Sequence, residues 1–104
     1  MERLCYVFEL APGQEEEYLR RHAAVWPEVI DAIKDAGFAN YSLFKRGREV
    51  YAYAECEPDV ATAMARLEAT EVNARWSEYI RSIMVRAVDE SGRLLVADEI
   101  WHLD

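Results

Sequence analysis

Residues 40–56, NYSLFKRGREVYAYAEC, constrain the fold more than any other stretch of the chain. They read as two β-strands joined by the two-residue turn Gly47-Arg48, with glycine first to supply the positive φ such a turn needs. The turn sets Arg46 opposite Glu49, Phe44 opposite Tyr51, Leu43 opposite Ala52 and Tyr41 opposite Ala54. Side chains alternate between faces along a strand, so one face carries Tyr41, Leu43, Val50, Ala52 and Ala54, and the other Ser42, Phe44, Tyr51 and Tyr53. The first face sets small residues beside one tyrosine and leaves space. The second is broad and aromatic.

The flanking segments build outward from this hairpin. RLCYVFEL alternates Leu4, Tyr6 and Phe8 with Cys5 and Val7, as a strand does. From Gln14 to about Ala36 the apolar residues Leu19, Ala23, Trp26, Val29, Ile30 and Ile33 recur at helical spacing. Pro27 interrupts that run, because it removes a backbone donor and disfavours a helical Trp26; the expectation is a kink or a new helix with Pro27 in its first turn. Gly37 ends it. EPDVATAMARLEA is a helix starting near Pro58-Asp59, and TEVNARWSEYIRSIM a second, with Thr70 as N-cap and Glu71 in its first turn. SGRLLVADEIWHLD opens on a turn and finishes as a strand. The order predicts an α+β fold: a ferredoxin-like βαββαβ antiparallel sheet with helices on one face, its second helical arm divided. Phe44, Tyr51 and Tyr53 would lie on the uncovered face, and pairing two copies into a homodimer of the dimeric α/β-barrel type would bury them.

Bulk properties narrow the partners. At 104 residues the chain suits one domain, 1–104. Its net charge of −8 argues against nucleic acid and anionic membranes, both of which call for a basic patch. There is no apolar run long enough to span a bilayer, and MERLCYVFEL lacks the pattern of a signal peptide. Cys5 and Cys56 have no metal-type spacing and read as reduced core residues of a cytoplasmic protein.

The chemistry concentrates in EEEYLRRHAAVWPE, residues 15–28. Tyr18 and His22 stand one helical turn apart and share a face directed at the sheet, where Tyr41 projects toward them, so the three side chains border one cavity. Glu15–Glu17 is a solvated helix start favoured by the helix dipole, and Arg20 and Arg21 suit ion pairs with Glu16 and Glu17. His22 and His102 lack neighbouring carboxylates at ligand spacing, so no metal site is expected. With four glycines and no phosphate loop, no nucleotide cofactor is expected. An imidazole, several phenols and flat indole faces suit a neutral polyhydroxylated molecule: indoles meet C–H surfaces, hydroxyls orient, and the imidazole moves protons.

EYLRRHAAVWPEV, NYSLF, ATEVNARW and the closing EIWHL together resemble the L-rhamnose mutarotase family, over nearly the whole chain, with the RRH…WPE block most specific. The resemblance implies a homodimer that takes a monosaccharide and interconverts its α and β anomers without metal or cofactor. It implies that His22 is the proton donor and that Tyr18, Tyr41 and Trp76 bind the sugar. Two positions depart from the family's pattern: Ser77 stands where a second tryptophan is usual, and His102 where a tyrosine is usual. Related members serve L-fucose, so both departures bear on the sugar's identity. In the mechanism this implies, His22 handles the proton going to and from the ring oxygen, with Tyr18, Tyr41 or a water they hold as the partner base. The alternatives on the same fold are a cofactor-free monooxygenase and a non-catalytic small-molecule sensing domain.

Overall fold

The computed structural model describes all residues, 1–104. A strand, β1 (Glu2–Leu10), leads into two short helices, α1 (Glu15–His22) and α2 (Pro27–Ala36). The hairpin follows as β2 (Phe38–Arg46) and β3 (Glu49–Cys56), then helices α3 (Val60–Glu68) and α4 (Glu71–Arg81), and the short strands β4 (Met84–Arg86) and β5 (Leu95–Ala97). The sheet is antiparallel in the order β2-β3-β1-β4, with β5 also paired to β1. No helix is long and apolar enough to cross a membrane.

Pro27 produces the second of its two expected outcomes. Trp26 takes an extended backbone (φ −59°, ψ 131°), as a residue before proline prefers, and Pro27 opens α2, where the missing N–H goes unneeded. Gly37 closes α2 at φ +111°, and a β-carbon there would stand 2.2 Å from the carbonyl oxygen of Glu57. Only glycine allows that approach, which the Glu57 N–H to Gly37 carbonyl bond holds in place. Asp59 and Thr70 cap α3 and α4 through their side-chain oxygens.

The hairpin keeps the expected register near its turn: Arg46 faces Glu49, Phe44 faces Tyr51 and Leu43 faces Ala52. It departs at Tyr41. Ala39 pairs with Glu55 and Ser42 with Tyr53, so Asn40 and Tyr41 together oppose the single residue Ala54. Asn40 takes φ +47°, which asparagine tolerates, and its amide donates to the Glu55 carboxylate at 2.7 Å. The extra residue reverses the alternation, and so both Phe38 and Tyr41 reach the helix-covered side.

Two other expectations are corrected. The helix expected over TEVNARWSEYIRSIM, α4, stops at Arg81, because Ile83 turns into the core and its carbonyl accepts from Ala11 N–H; Met84 then pairs with Leu10 as strand. The final strand is limited to Leu95–Ala97, and residues 98–104 carry no regular structure. Between β4 and β5, the Asp89 carboxylate accepts from the N–H groups of Ser91 and Arg93 and closes a turn. The fourth position of the sheet is therefore shared by two short strands.

Helices cover one face of the sheet. Leu10, Val29 and Val50 are fully buried there, and each such side chain contributes about 1.5–3 kcal/mol. Cys56 joins this core, whereas Cys5 lies half-buried beside Tyr53 on the open face; both thiols are free. On the open face Phe44 is 61% exposed, and Tyr51 and Tyr53 are half-buried.

Candidate active site

Helix α1 is short and polar along most of its length, and only Tyr18 is buried. Its orientation is set by charge. Glu17 holds Arg20 and Arg21 together, and their guanidiniums bring its carboxyl down to a pKa of about 2. The expected Arg20–Glu16 pair is replaced by this three-residue contact. Arg21 also reaches the far helix: it donates to the backbone carbonyl of Tyr79 and to Ser82 Oγ, and lies 4.1 Å from the centre of the Tyr79 ring. This clamp ties the end of α1 to the end of α4 and so sets where the next residue, His22, stands.

The His22 ring packs tilted against Tyr18, 4.3 Å between ring centres, and meets Trp76 edge-on at 5.6 Å. Trp76 is in turn held by Trp26 at 5.0 Å and Tyr79 at 5.7 Å. The half-buried imidazole has Nδ1 3.4 Å from the Tyr18 carbonyl and Nε2 3.5 Å from the Tyr18 hydroxyl. A carbonyl only accepts, so Nδ1 carries the hydrogen and Nε2 the lone pair. Burial lowers the pKa of His22 from 6.5, partly offset by that carbonyl, and the ring is neutral near pH 7.

A cleft of about 1470 Å³ opens between sheet and helices. Its wall includes Tyr18, His22, Tyr41 and Trp76, so the four side chains singled out in the sequence come together. Ser77 lines the cleft as well. His102 does not: it lies in the exposed C-terminal segment, with Nε2 3.0 Å from Asp104.

The structure adds residues that sequence reasoning passed over. Tyr6 lines the cleft, and its hydroxyl bonds that of Tyr41. The available signal was a tyrosine between Leu4 and Phe8 on the covered face of β1. Asn73, Ser77 and Arg81 recur at four-residue spacing and give α4 a polar edge on the same cleft. Desolvation raises the pKa of Tyr6, Tyr18 and Tyr41, so all three are protonated donors at neutral pH.

Three comparisons bear on this arrangement. The sequence profile of the L-rhamnose mutarotase family matches residues 3–103. An L-rhamnose mutarotase of Listeria monocytogenes is 35% identical over 99% of both chains, and one of Burkholderia ambifaria 31% identical over 100% of both. The crystal structure of an L-rhamnose mutarotase from Formosa agariphila superposes with a TM-score of 0.78, at 25% identity over 100% of both chains. A tetracenomycin F2 cyclase from Streptomyces glaucescens reaches 0.76 at 12% identity, covering 100% of this chain and 98% of its own, a likeness of fold alone. Neither the monooxygenase nor the sensing alternative is favoured by these matches. The ferredoxin-like chain described here belongs to the L-rhamnose mutarotase family and is a carbohydrate isomerase.

Proposed function

We propose that the chain interconverts the α and β anomers of L-rhamnose or a closely related deoxy sugar, with His22 as the proton-transfer group and Tyr18, Tyr41 and Trp76 as the sugar-binding wall. The observation that carries the reading is the Nε2 lone pair of a neutral, half-buried imidazole, met in the protein only by the Tyr18 hydroxyl at 3.5 Å, facing phenol and indole groups in one cleft.

In this reading, Nε2 takes the proton of the anomeric hydroxyl as the electrons of its O–H bond form the C1 carbonyl and the C1–ring oxygen bond breaks. The ring oxygen keeps that bonding pair and takes a proton from the imidazolium. Rotation about C1–C2 presents the other carbonyl face, and the steps reverse. Both oxygens are bonded to C1, so a single imidazole can serve each in turn. The raised pKa values of Tyr18 and Tyr41 favour donors to sugar oxygens rather than bases.

Magnitudes fit the task. A spontaneous half-life on the order of an hour corresponds to a barrier of roughly 22 kcal/mol, and a turnover near 10 per second to about 16. Proton transfer by a placed group supplies about 3–5 kcal/mol of that difference, and orientation of the sugar can supply the rest.

The same reading includes a single domain acting as a homodimer in the cytoplasm. Exposed Phe44 on the open sheet face, with exposed Trp101 and Leu103 in the C-terminal segment, supports a second copy as the cover; the two free thiols suit a reducing compartment. Sedimentation should give twice the 12.0 kDa chain mass.

The test of function is NMR saturation transfer between anomers of L-rhamnose, L-fucose and L-mannose with the purified protein. Exchange well above the spontaneous rate for at least one deoxy sugar is expected. Spontaneous rates for all three would contradict the reading.

A further inference from the structure

The Tyr6–Tyr41 pair has a hydrogen to spare. Each hydroxyl carries one hydrogen, and the bond between them uses one of the two. Neither hydroxyl has any other partner in the protein. One O–H therefore remains in a largely apolar cleft, where an unmade hydrogen bond is costly. The same cleft wall holds Arg81, the last residue of α4.

Arg81 makes no ion pair, although acidic residues outnumber basic ones by 20 to 12 in the chain. Either hydroxyl can donate the shared hydrogen, so the pair as a whole presents one spare O–H to the cleft, and the Arg81 charge makes the Tyr6 phenol the more acidic and so the stronger donor.

We propose that Tyr6 is a further substrate-binding residue: paired with Tyr41 on the cleft wall that also holds Arg81, it presents the pair's one spare O–H to the sugar oxygen on which negative charge builds as the ring opens. The proposal rests on the reading of the cleft as a mutarotase site. No proton leaves Tyr6 in this role. Its hydrogen bond tightens as the C1–ring oxygen bond breaks, and it lowers the barrier because the charge is larger in the transition state than in the closed sugar. The bond between the two hydroxyls fixes the direction of the spare hydrogen, and Arg81 acts through its charge to make the phenol a stronger donor. The Tyr6–Tyr41 pair thus serves one sugar oxygen while His22 serves the proton.

The experiment is anomer exchange by Tyr6→Phe, Tyr41→Phe, the double variant, Arg81→Met and Arg81→Lys, with unfolding midpoints measured alongside and Tyr53→Phe from the open face as control. Tyr6→Phe should lower kcat about 10- to 100-fold with little change in KM, as expected for a donor to a charged oxygen. The double variant should fall within about threefold of Tyr6→Phe, because the two hydroxyls act as one unit. Arg81→Met should lower kcat and Arg81→Lys restore most of it. Wild-type kcat in Tyr6→Phe, effects of the two tyrosines that multiply, or a loss of rate matched by a loss of folded protein would overturn the proposal. Failure of the wild-type protein to exchange any anomer would instead remove the mutarotase reading beneath it.

Discussion

The two faces of the sheet use the same side chain for different ends. On the open face, Tyr51 donates to Glu49 and Tyr53 to Glu55, each a carboxylate two residues along the same strand. Those hydroxyls are satisfied by local partners. On the covered face, Tyr6, Tyr18 and Tyr41 have no carboxylate partner: Tyr6 and Tyr41 bond one another, and Tyr18 faces His22. The contrast teaches that a tyrosine's role follows from what is left unpaired. A phenol already bound to a carboxylate of its own strand is spent locally, and one with only another phenol or an imidazole is open to a ligand.

Four results would break or sharpen that contrast. The largest effect should come from Trp76→Ala, which removes a nearly buried ring packed on His22, Trp26 and Tyr79. Urea denaturation should show a loss of about 3–5 kcal/mol. Next is Gly37→Ala, whose β-carbon meets the Glu57 carbonyl oxygen; its unfolding free energy should fall by about 1–3 kcal/mol. Third, Tyr18→Phe should slow anomer exchange about tenfold, by loss of one oriented donor, while leaving the midpoint nearly unchanged. A Tyr18→Phe rate equal to wild type would place Tyr18 with the open-face tyrosines. Smallest are Tyr51→Phe and Tyr53→Phe, which should leave the rate unchanged and shift stability by under about 0.5 kcal/mol. A slowed rate in either would show that the open face contributes to the reaction.

The dependence on pH separates the faces further. The folded state holds His22 below its ordinary 6.5, so between those two values the unfolded chain binds the extra proton. His22 therefore contributes a stability that is fully present above 6.5 and is lost as pH falls through that window. Exchange should decline over the same acid range, because protonation removes the Nε2 lone pair.

Much of the frame was legible in the sequence because local rules governed it. Gly47 set the hairpin register at the turn, Pro27 opened a helix, and Thr70 capped one. The four-residue spacing of Tyr18 and His22 placed them on one face, and both reached the cleft. What escaped depended on distant partners. The bulge at Asn40 is held by Glu55 on the neighbouring strand, so no local pattern marked it. The division of the fourth sheet position follows from β1 offering two separate stretches to pair with, and the sequence of the closing segment does not show where each is used. The Tyr6–Tyr41 contact joins residues 35 apart, and the polar edge of α4 became meaningful only once a cleft lay beside it.

The central claim is that one neutral imidazole moves the proton of the sugar. It is tested most directly by anomer exchange of L-rhamnose with His22→Asn, measured by saturation transfer on protein shown to be folded by its unfolding midpoint. The account predicts a rate at least about a hundredfold below wild type. A rate equal to wild type in the folded variant would contradict it.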